Sequence, residues 1–242
     1  MSDINNIKGF IITASHEKSR LENVVLLQKQ LPALQLMEAI YPSRQKIPFI
    51  NKLRGKSKER TGRALNLGEL GVLLSNRKIW QTIVQSDVPE TASFLILESD
   101  SVINEVDLLI ANFYRLTGKY DLFFWGGWLG HIKLLRSTKN KLTPTFKYGT
   151  PFIKTICSGY GYSINKKTAR YLIQQTKQIS YPVDEFKRYI SPGMLNIGAV
   201  VPEIISQGIG ETTIGHAGLS NFTEKIWLLL LDIRNAIICF FS

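Results

Sequence analysis

The feature that most constrains this chain is a short unbroken apolar run, Phe94-Leu95-Ile96-Leu97, that ends abruptly in Glu98-Ser99-Asp100. A strand of four consecutive apolar residues has no polar face, so it must be covered on both sides. That is the position of a central strand in an α/β sheet. Other segments fit the same plan. Gly9-Phe10-Ile11-Ile12-Thr13 reads as a buried first strand and Leu36 to Ile40 as a second. Leu122 to Trp125 reads as a strand closed by Gly126-Gly127, and Ala199-Val200-Val201 as a last short strand before Pro202. Helices fall between them, over Ser19 to Gln30 and Val106 to Leu116. Asn66 caps another, with Glu69 three positions on completing a reciprocal cap. In it Leu70, Leu73, Leu74, Ile79, Trp80 and Ile83 keep near-helical spacing, so it packs inward. Asn165 caps a helix that runs through Thr176. Strands alternating with helices predict an α/β fold with a mostly parallel central sheet flanked by helices.

Charge narrows the partners. The formal net charge is +11. From Arg44 to Arg63 the chain carries Arg44, Lys46, Lys52, Arg54, Lys56, Lys58, Arg60 and Arg63 against one acid, Glu59. From Leu122 to Val183 there is no Asp or Glu at all. A phosphate-bearing partner is implied: a nucleotide, a nucleic acid or an anionic lipid surface. Ser43 to Gly62, with Pro48, Gly55 and few apolar residues, is expected to be a mobile loop. Phe49 is the single aromatic in that basic stretch, so aromatics do not alternate with its cations, and no nucleic-acid motif is present; nucleic acid is set aside. Cys157 and Cys239 lie far apart in apolar surroundings and read as reduced thiols. The polar start, Met1 to Lys8, lacks the apolar centre of a signal peptide, which places the expectation in the cytoplasm.

The division expected is one domain over residues 1–221 and an apolar helix over 222–242. The latter is dense in Ile, Leu, Trp and Phe but is interrupted by Asp232, Arg234 and Asn235. A membrane span needs about 20 apolar residues. Two readings stay open: a terminal helix docked on the core, or an interfacial helix lying on the inner face of a membrane.

Glu98 and Asp100 are the sharpest candidates for chemistry. Residues i and i+2 of an extended chain point the same way. Ligands of open α/β sheets bind at the carboxyl ends of strands. Two carboxylates facing one way there call for a cation between them, Mn²⁺ or Mg²⁺ shared with diphosphate oxygens. Surface acids after a strand are common, and the spacing alone favours that reading.

Several blocks resemble glycosyltransferase family 25, the family of bacterial lipooligosaccharide and collagen galactosyltransferases. Gly68-Glu69-Leu70-Gly71-Val72-Leu73-Leu74-Ser75-Asn76 is similar to the family's Gly-Glu-x-Gly-Cys-x-Leu-Ser-His helix. Leu97-Glu98-Ser99-Asp100 is similar to its Leu-Glu-Asp-Asp strand end. Gly161-Tyr162-Ser163-Ile164, Pro182-Val183-Asp184-Glu185-Phe186 and Val201-Pro202 through Thr213-Ile214 follow in the family's order. Three positions depart from the pattern: Val72 stands for Cys, Asn76 for His and Ser99 for the middle Asp.

The resemblance implies a GT-A type nucleotide-diphospho-sugar fold. It implies transfer of a hexose, with inversion, from a UDP-sugar to a lipooligosaccharide or other glycan acceptor. Galactose is the family's usual donor sugar, with glucose next. It assigns the base to Asp184, with Glu185 as the neighbouring choice, and the cation to Glu98 and Asp100. A late histidine is recruited in related folds, which makes His216 a candidate third ligand. Ile12, Thr13 and Arg20, at the first strand's end and the helix after it, are placed at the donor together with Glu69, Ser75, Asn76, Glu98 and Asp100. Trp125, Gly126-Gly127 and Trp128, after a strand end, are candidates for shaping the sugar pocket, although core packing is the default for a tryptophan. Ser99 and Asn76 also keep a second class in view, a non-catalytic nucleotide-sugar-fold binder.

Overall fold

The computed structural model describes residues 6–127, 131–157, 159–208 and 222–242, with side chains in the last segment from Leu230 onward. In chain order the elements are β1 (Gly9–Thr13), α1 (Lys18–Gln30), β2 (Leu34–Glu38), α2 (Ile50–Thr61), α3 (Leu67–Gln85), β3 (Ser93–Glu98), β4 (Ser101–Ile103) and α4 (Val106–Thr117). They continue with β5 (Leu122–Phe124), β6 (Asn140–Lys141), β7 (Lys147–Gly149), β8 (Gly161–Asn165), α5 (Lys166–Gln175), β9 (Ile197–Val201), β10 (Ile205–Gln207) and α6 (Phe222–Phe241).

The main sheet runs β2-β1-β3-β8-β5-β9-β7-β6. β1 is parallel to both β2 and β3, and β5 is parallel to β9. β8 is antiparallel to β3 and to β5, and β7 is antiparallel to β9 and to β6. β2, β1, β3, β5, β9 and β6 therefore point one way, β8 and β7 the other. This is the expected α/β fold with a mostly parallel sheet, and β8 is the inserted reversal that the apolar pattern did not announce. β4 and β10 form a small separate ribbon.

Side-chain alternation on the central strands explains the layers. Phe94 and Ile96 of β3, with Leu122 and Phe124 of β5, join a core under α3 and α5 that includes Leu70, Leu73, Trp80 and Leu172. Leu95, Leu97, Phe123 and Trp125 turn to the other face and pack with Val24 and Leu27 of α1 and Leu109 and Phe113 of α4. The unbroken run at 94–97 is thus covered on both faces, which is why it had to be apolar throughout.

Capping follows the sequence reading. The Asn66 side chain accepts from the Glu69 N–H, and the Glu69 carboxylate accepts from the Asn66 N–H. The Asn165 side chain accepts from the Thr168 N–H at the start of α5.

The basic segment corrects the expectation of a mobile loop: Ile50–Thr61 is a helix. Ile50 and Leu53 pack on the core, and Ser57 is fully buried between them and Leu65. Its hydroxyl accepts from the Leu65 N–H, while Arg54 Nε donates to the Leu65 carbonyl. The buried stripe at 50, 53 and 57 was hidden because its last member is a serine. Left-handed Gly62, at φ 78, closes the helix. Gly55 lies in its interior, and a Cβ there would meet nothing within 4 Å. Gly55→Ala is expected to raise stability by about 0.5–1 kcal/mol, read from denaturant midpoints, because alanine loses less backbone entropy in a helix.

α6 docks on the body of the fold. Asp232 pairs with Lys133 at 3.0 Å and with His131 at 3.4 Å, and Asn235 and Cys239 are buried. Among the described residues no helix is long and apolar enough to cross a membrane.

Candidate active site

The carboxyl ends of β1 and β3 open into a cleft of 280 Å³. Ile12 and Thr13 come from the end of β1, Arg20 from α1, Ser75 from α3, and Glu98, Ser99 and Asp100 from the end of β3. Six of the donor-site candidates, far apart in sequence, thus share one cavity: Ile12, Thr13, Arg20, Ser75, Glu98 and Asp100.

The acids do not reach it by strand alternation. β3 ends at Glu98, and residues 99 and 100 form a turn into β4. The turn is held from several sides. Asn23 Nδ2 donates to the carbonyls of Ser99 and Ser101, at 2.8 and 2.9 Å. The Ser101 hydroxyl accepts from the Glu98 N–H and donates to the Tyr160 carbonyl. The Gly208 N–H donates to the Asp100 carbonyl. Turn geometry, not the i, i+2 rule, brings Glu98 and Asp100 to one cavity.

Arg20 is the lone Lys or Arg among the described residues lining the cleft, facing Glu17, Glu98 and Asp100. Its guanidinium lies 3.2 Å from Asp100 Oδ2 and 3.8 Å from Glu17, and donates to the Ser99 hydroxyl. Gln207 Nε2 also donates to Asp100 Oδ2. Asp100 Oδ1 is buried and has no hydrogen-bond partner among the described residues. Burial, then the charges of Asp100 and Asp184, push the Glu98 carboxyl from 4.5 up to about 8, against the pull of Arg20. An orphaned carboxylate oxygen and a second carboxyl unwilling to ionise are what a cation would satisfy. A diphosphate would also be repelled by this set of acids unless a cation entered with it. Glu98 and Asp100 therefore fit a divalent ion. Among the described residues no cluster of three or more His, Cys, Asp or Glu side chains is arranged to hold one. His216 lies outside the described residues.

The sign of the Glu98 shift sets a pH dependence. The folded state keeps a proton that the unfolded chain has already released. Its stabilising share is intact below 4.5 and is lost as pH rises through about 8. Without divalent cation, the melting temperature of Glu98→Gln is expected to gain on the parent from about pH 4.5 to about pH 8 and to level off above it. Thermal melts in EDTA check this; a constant difference across the range would contradict it.

The Pro182-Val183-Asp184-Glu185-Phe186 segment shows how a short motif positions an acid. Val183 and Phe186 are buried anchors, and the Phe186 ring meets Phe124 and Tyr162 edge-on. Asp184 and Glu185 lie between those anchors and stay half-buried. The Asp184 charge raises Glu98, whereas Glu185 is not among the causes of that shift. Glu185 instead pairs with Arg188 at 3.1 Å. No side chain caps the short 3-10 turn Phe186–Arg188 that follows.

A family model described as glycosyltransferase family 25 (LPS biosynthesis protein) matches residues 6–187. The chain belongs to glycosyltransferase family 25. A comparison with curated proteins gave no match. The match spans the helix block at 68–76, the acids at 98–100 and the 182–186 segment, and stops short of the closing block that begins at Val201.

Within this family 25 fold, other candidates stand away from the cleft. Glu69 completes the α3 cap and takes a two-pronged contact from Arg63 at 2.9 and 2.8 Å. Asn76 is fully buried, accepts from the Tyr162 hydroxyl and donates to the Val72 carbonyl; Trp80 Nε1 in turn donates to Tyr162. At a position where the family has histidine, Asn76 ties α3 to β8. Asn76→Ala is expected to cost about 1–3 kcal/mol, because the Tyr162 hydroxyl loses its acceptor. Denaturant midpoints of the variant and the parent read that loss. Trp125 is also core rather than pocket: it is fully buried, stacks on Phe113 and donates to the Ser163 hydroxyl. Trp128 lies outside the described residues.

The cleft also recruits residues that the sequence reading passed over. Glu17 and Tyr41 line it, bonded to one another, and Gln207 reaches it from β10. Gly71 lets α3 touch the 40–42 segment, since a Cβ there would sit 2.5 Å from the Ile40 carbonyl. Ser75 fastens the same segment by accepting from the Ile40 N–H. Asn23, one helical turn after Arg20, was the legible clue, a polar side chain on the same helix face.

Proposed function

We propose that this family 25 glycosyltransferase transfers a hexose, galactose first and glucose second, from a UDP-sugar to a lipooligosaccharide or related glycan. Transfer proceeds with inversion. The observation that carries the reading is the convergence of Thr13, Arg20, Glu98 and Asp100 on one cleft at the carboxyl edge of β1 and β3.

In this reading the uridine end lies against Ile12, Thr13 and the 39–43 segment, and the diphosphate reaches Arg20. Glu98 and Asp100 would hold Mn²⁺ or Mg²⁺, which would supply positive charge where negative charge gathers on the departing UDP. Asp184 accepts the proton of the acceptor hydroxyl as that oxygen bonds to the anomeric carbon. The bond from that carbon to the UDP oxygen breaks, and UDP leaves with the electron pair. The acceptor side is bordered by α2, whose Arg60 donates to the Ile179 carbonyl and whose Lys52, Lys56 and Lys58 are exposed. Those lysines would meet the phosphates of a lipid-linked acceptor.

UDP release from UDP-galactose and UDP-glucose, each with Mn²⁺ or with EDTA, tests the reading. Release that needs Mn²⁺ supports it, and the faster donor names the sugar. Equal release in EDTA would move the charge-neutralising role to Arg20. UDP binding without release, even in the presence of oligosaccharide acceptors, would favour the non-catalytic class.

A further inference from the structure

A second cleft, of 470 Å³, lies between α6 and the 131–139 segment. Lys133, Arg136, Lys139 and Lys147 line it over an apolar floor of Ile132, Leu134, Val201 and Ala236. Among the described residues no acid lines it. Next to it, α6 leaves Leu230, Ile233, Ile237 and Phe241 exposed, at 59%, 48%, 54% and 83%. Their spacing of three and four residues makes one stripe along the helix. Phe240 borders stripe and cleft, with the Arg136 guanidinium 4.4 Å from its ring centre.

An apolar stripe of this kind left in water is unusual for a soluble fold and marks a contact surface. Lys133 already pairs with Asp232, but a purely apolar partner would leave Arg136, Lys139 and Lys147 without an anion, and a soluble anion would leave the stripe uncovered. An amphiphilic surface uses both. We infer that α6 and this basic cleft dock the protein on an anionic phospholipid bilayer, headgroup phosphates entering among Lys133, Arg136, Lys139 and Lys147 while the stripe enters the acyl boundary.

The sheet register gives the site a useful place. Ile96, Tyr162, Phe124 and Ala199 lie in one row across β3, β8, β5 and β9. Two residues further along their parallel strands come Glu98 and Val201, so the basic cleft shares the sheet edge onto which the donor cleft opens. Three strand spacings separate them, roughly 15 Å. A bilayer held at α6 would present lipid-linked glycans on the sheet edge that carries the donor cleft; that use rests on the transferase reading, whereas the docking does not.

Vesicle flotation of the full chain tests it, with phosphatidylcholine alone and with phosphatidylcholine mixed with phosphatidylglycerol. The parent is expected to float with the mixed vesicles and not with phosphatidylcholine alone. Arg136→Glu with Lys139→Glu, and separately Ile233→Asp with Ile237→Asp, are each expected to weaken capture about tenfold or more. Melting temperatures and Mn²⁺–UDP binding like the parent's would show that both doubles keep the fold and the donor cleft. Should the apolar pair unfold the chain, the charge pair alone decides. Neutralising Lys52, Lys56 and Lys58 on α2 is expected to leave capture nearly unchanged. Undiminished capture of the charge pair, equal binding to neutral vesicles, loss only on neutralising α2, or a dimer through α6 that does not bind vesicles would each overturn the inference.

Discussion

Asp184→Asn is expected to lower hexose transfer by roughly two to four orders of magnitude while leaving the affinity for UDP within about twofold of the parent. The amide keeps the size of the side chain, so the buried anchors Val183 and Phe186 hold the segment in place. What is lost is the basic carboxylate that takes the acceptor's proton. Glu185→Gln is the matched control. Its carboxylate is engaged with Arg188 and does not contribute to the Glu98 shift, so transfer is expected to fall by less than about tenfold. Initial rates with a galactose- or glucose-terminated acceptor, alongside UDP calorimetry, read both numbers. If Glu185→Gln proved the more damaging, the base would be Glu185 and the reading of this motif would be off by one residue.

Asp100→Ala carries the second large effect. It removes the orphaned Oδ1 and the oxygen that holds Arg20 and Gln207, so a cation bound there would lose a ligand and the guanidinium would keep only Glu17 and the Ser99 hydroxyl of the contacts named above. Charge stabilisation at a leaving oxygen is worth about 3–4 kcal/mol, a hundred- to thousandfold in rate. Mn²⁺-dependent transfer is expected to fall by that factor, with weaker binding of UDP in the presence of Mn²⁺. UDP binding in EDTA is expected to change much less. Equal losses with and without Mn²⁺ would assign Asp100 to positioning Arg20 and not to a cation.

What the sequence disclosed depended on how local the cause was. The run at 94–97, the Asn66–Glu69 cap and the Asn165 cap are set by neighbouring residues and could be read directly. α2 could not, because its buried stripe ends on Ser57, whose partner is the backbone of Leu65. β8 was equally hidden, since Gly161-Tyr162-Ser163-Ile164-Asn165 carries no apolar run to mark a buried strand, and the pattern does not tell parallel from antiparallel. At the site, Thr13, Arg20, Glu98 and Asp100 were legible because α/β sheets place ligands at strand carboxyl ends. Asn76 was not legible as a core residue, while Trp125 was open to both core and pocket, with core the default for a tryptophan. A polar or amphipathic side chain looks the same in sequence whether it meets a ligand or Tyr162 and Ser163. Gln207, Glu17 and Tyr41 reach the cleft through tertiary contacts that no spacing rule encodes.

The central claim is that the cleft at the ends of β1 and β3 is where a UDP-sugar binds. Amide hydrogen exchange of the full chain, with and without UDP and Mn²⁺, locates that binding without requiring an acceptor. Protection is expected over 12–20, 39–43 and 98–100, and it should fade in Asp100→Ala. Binding that leaves those segments unprotected and slows exchange elsewhere would contradict the account.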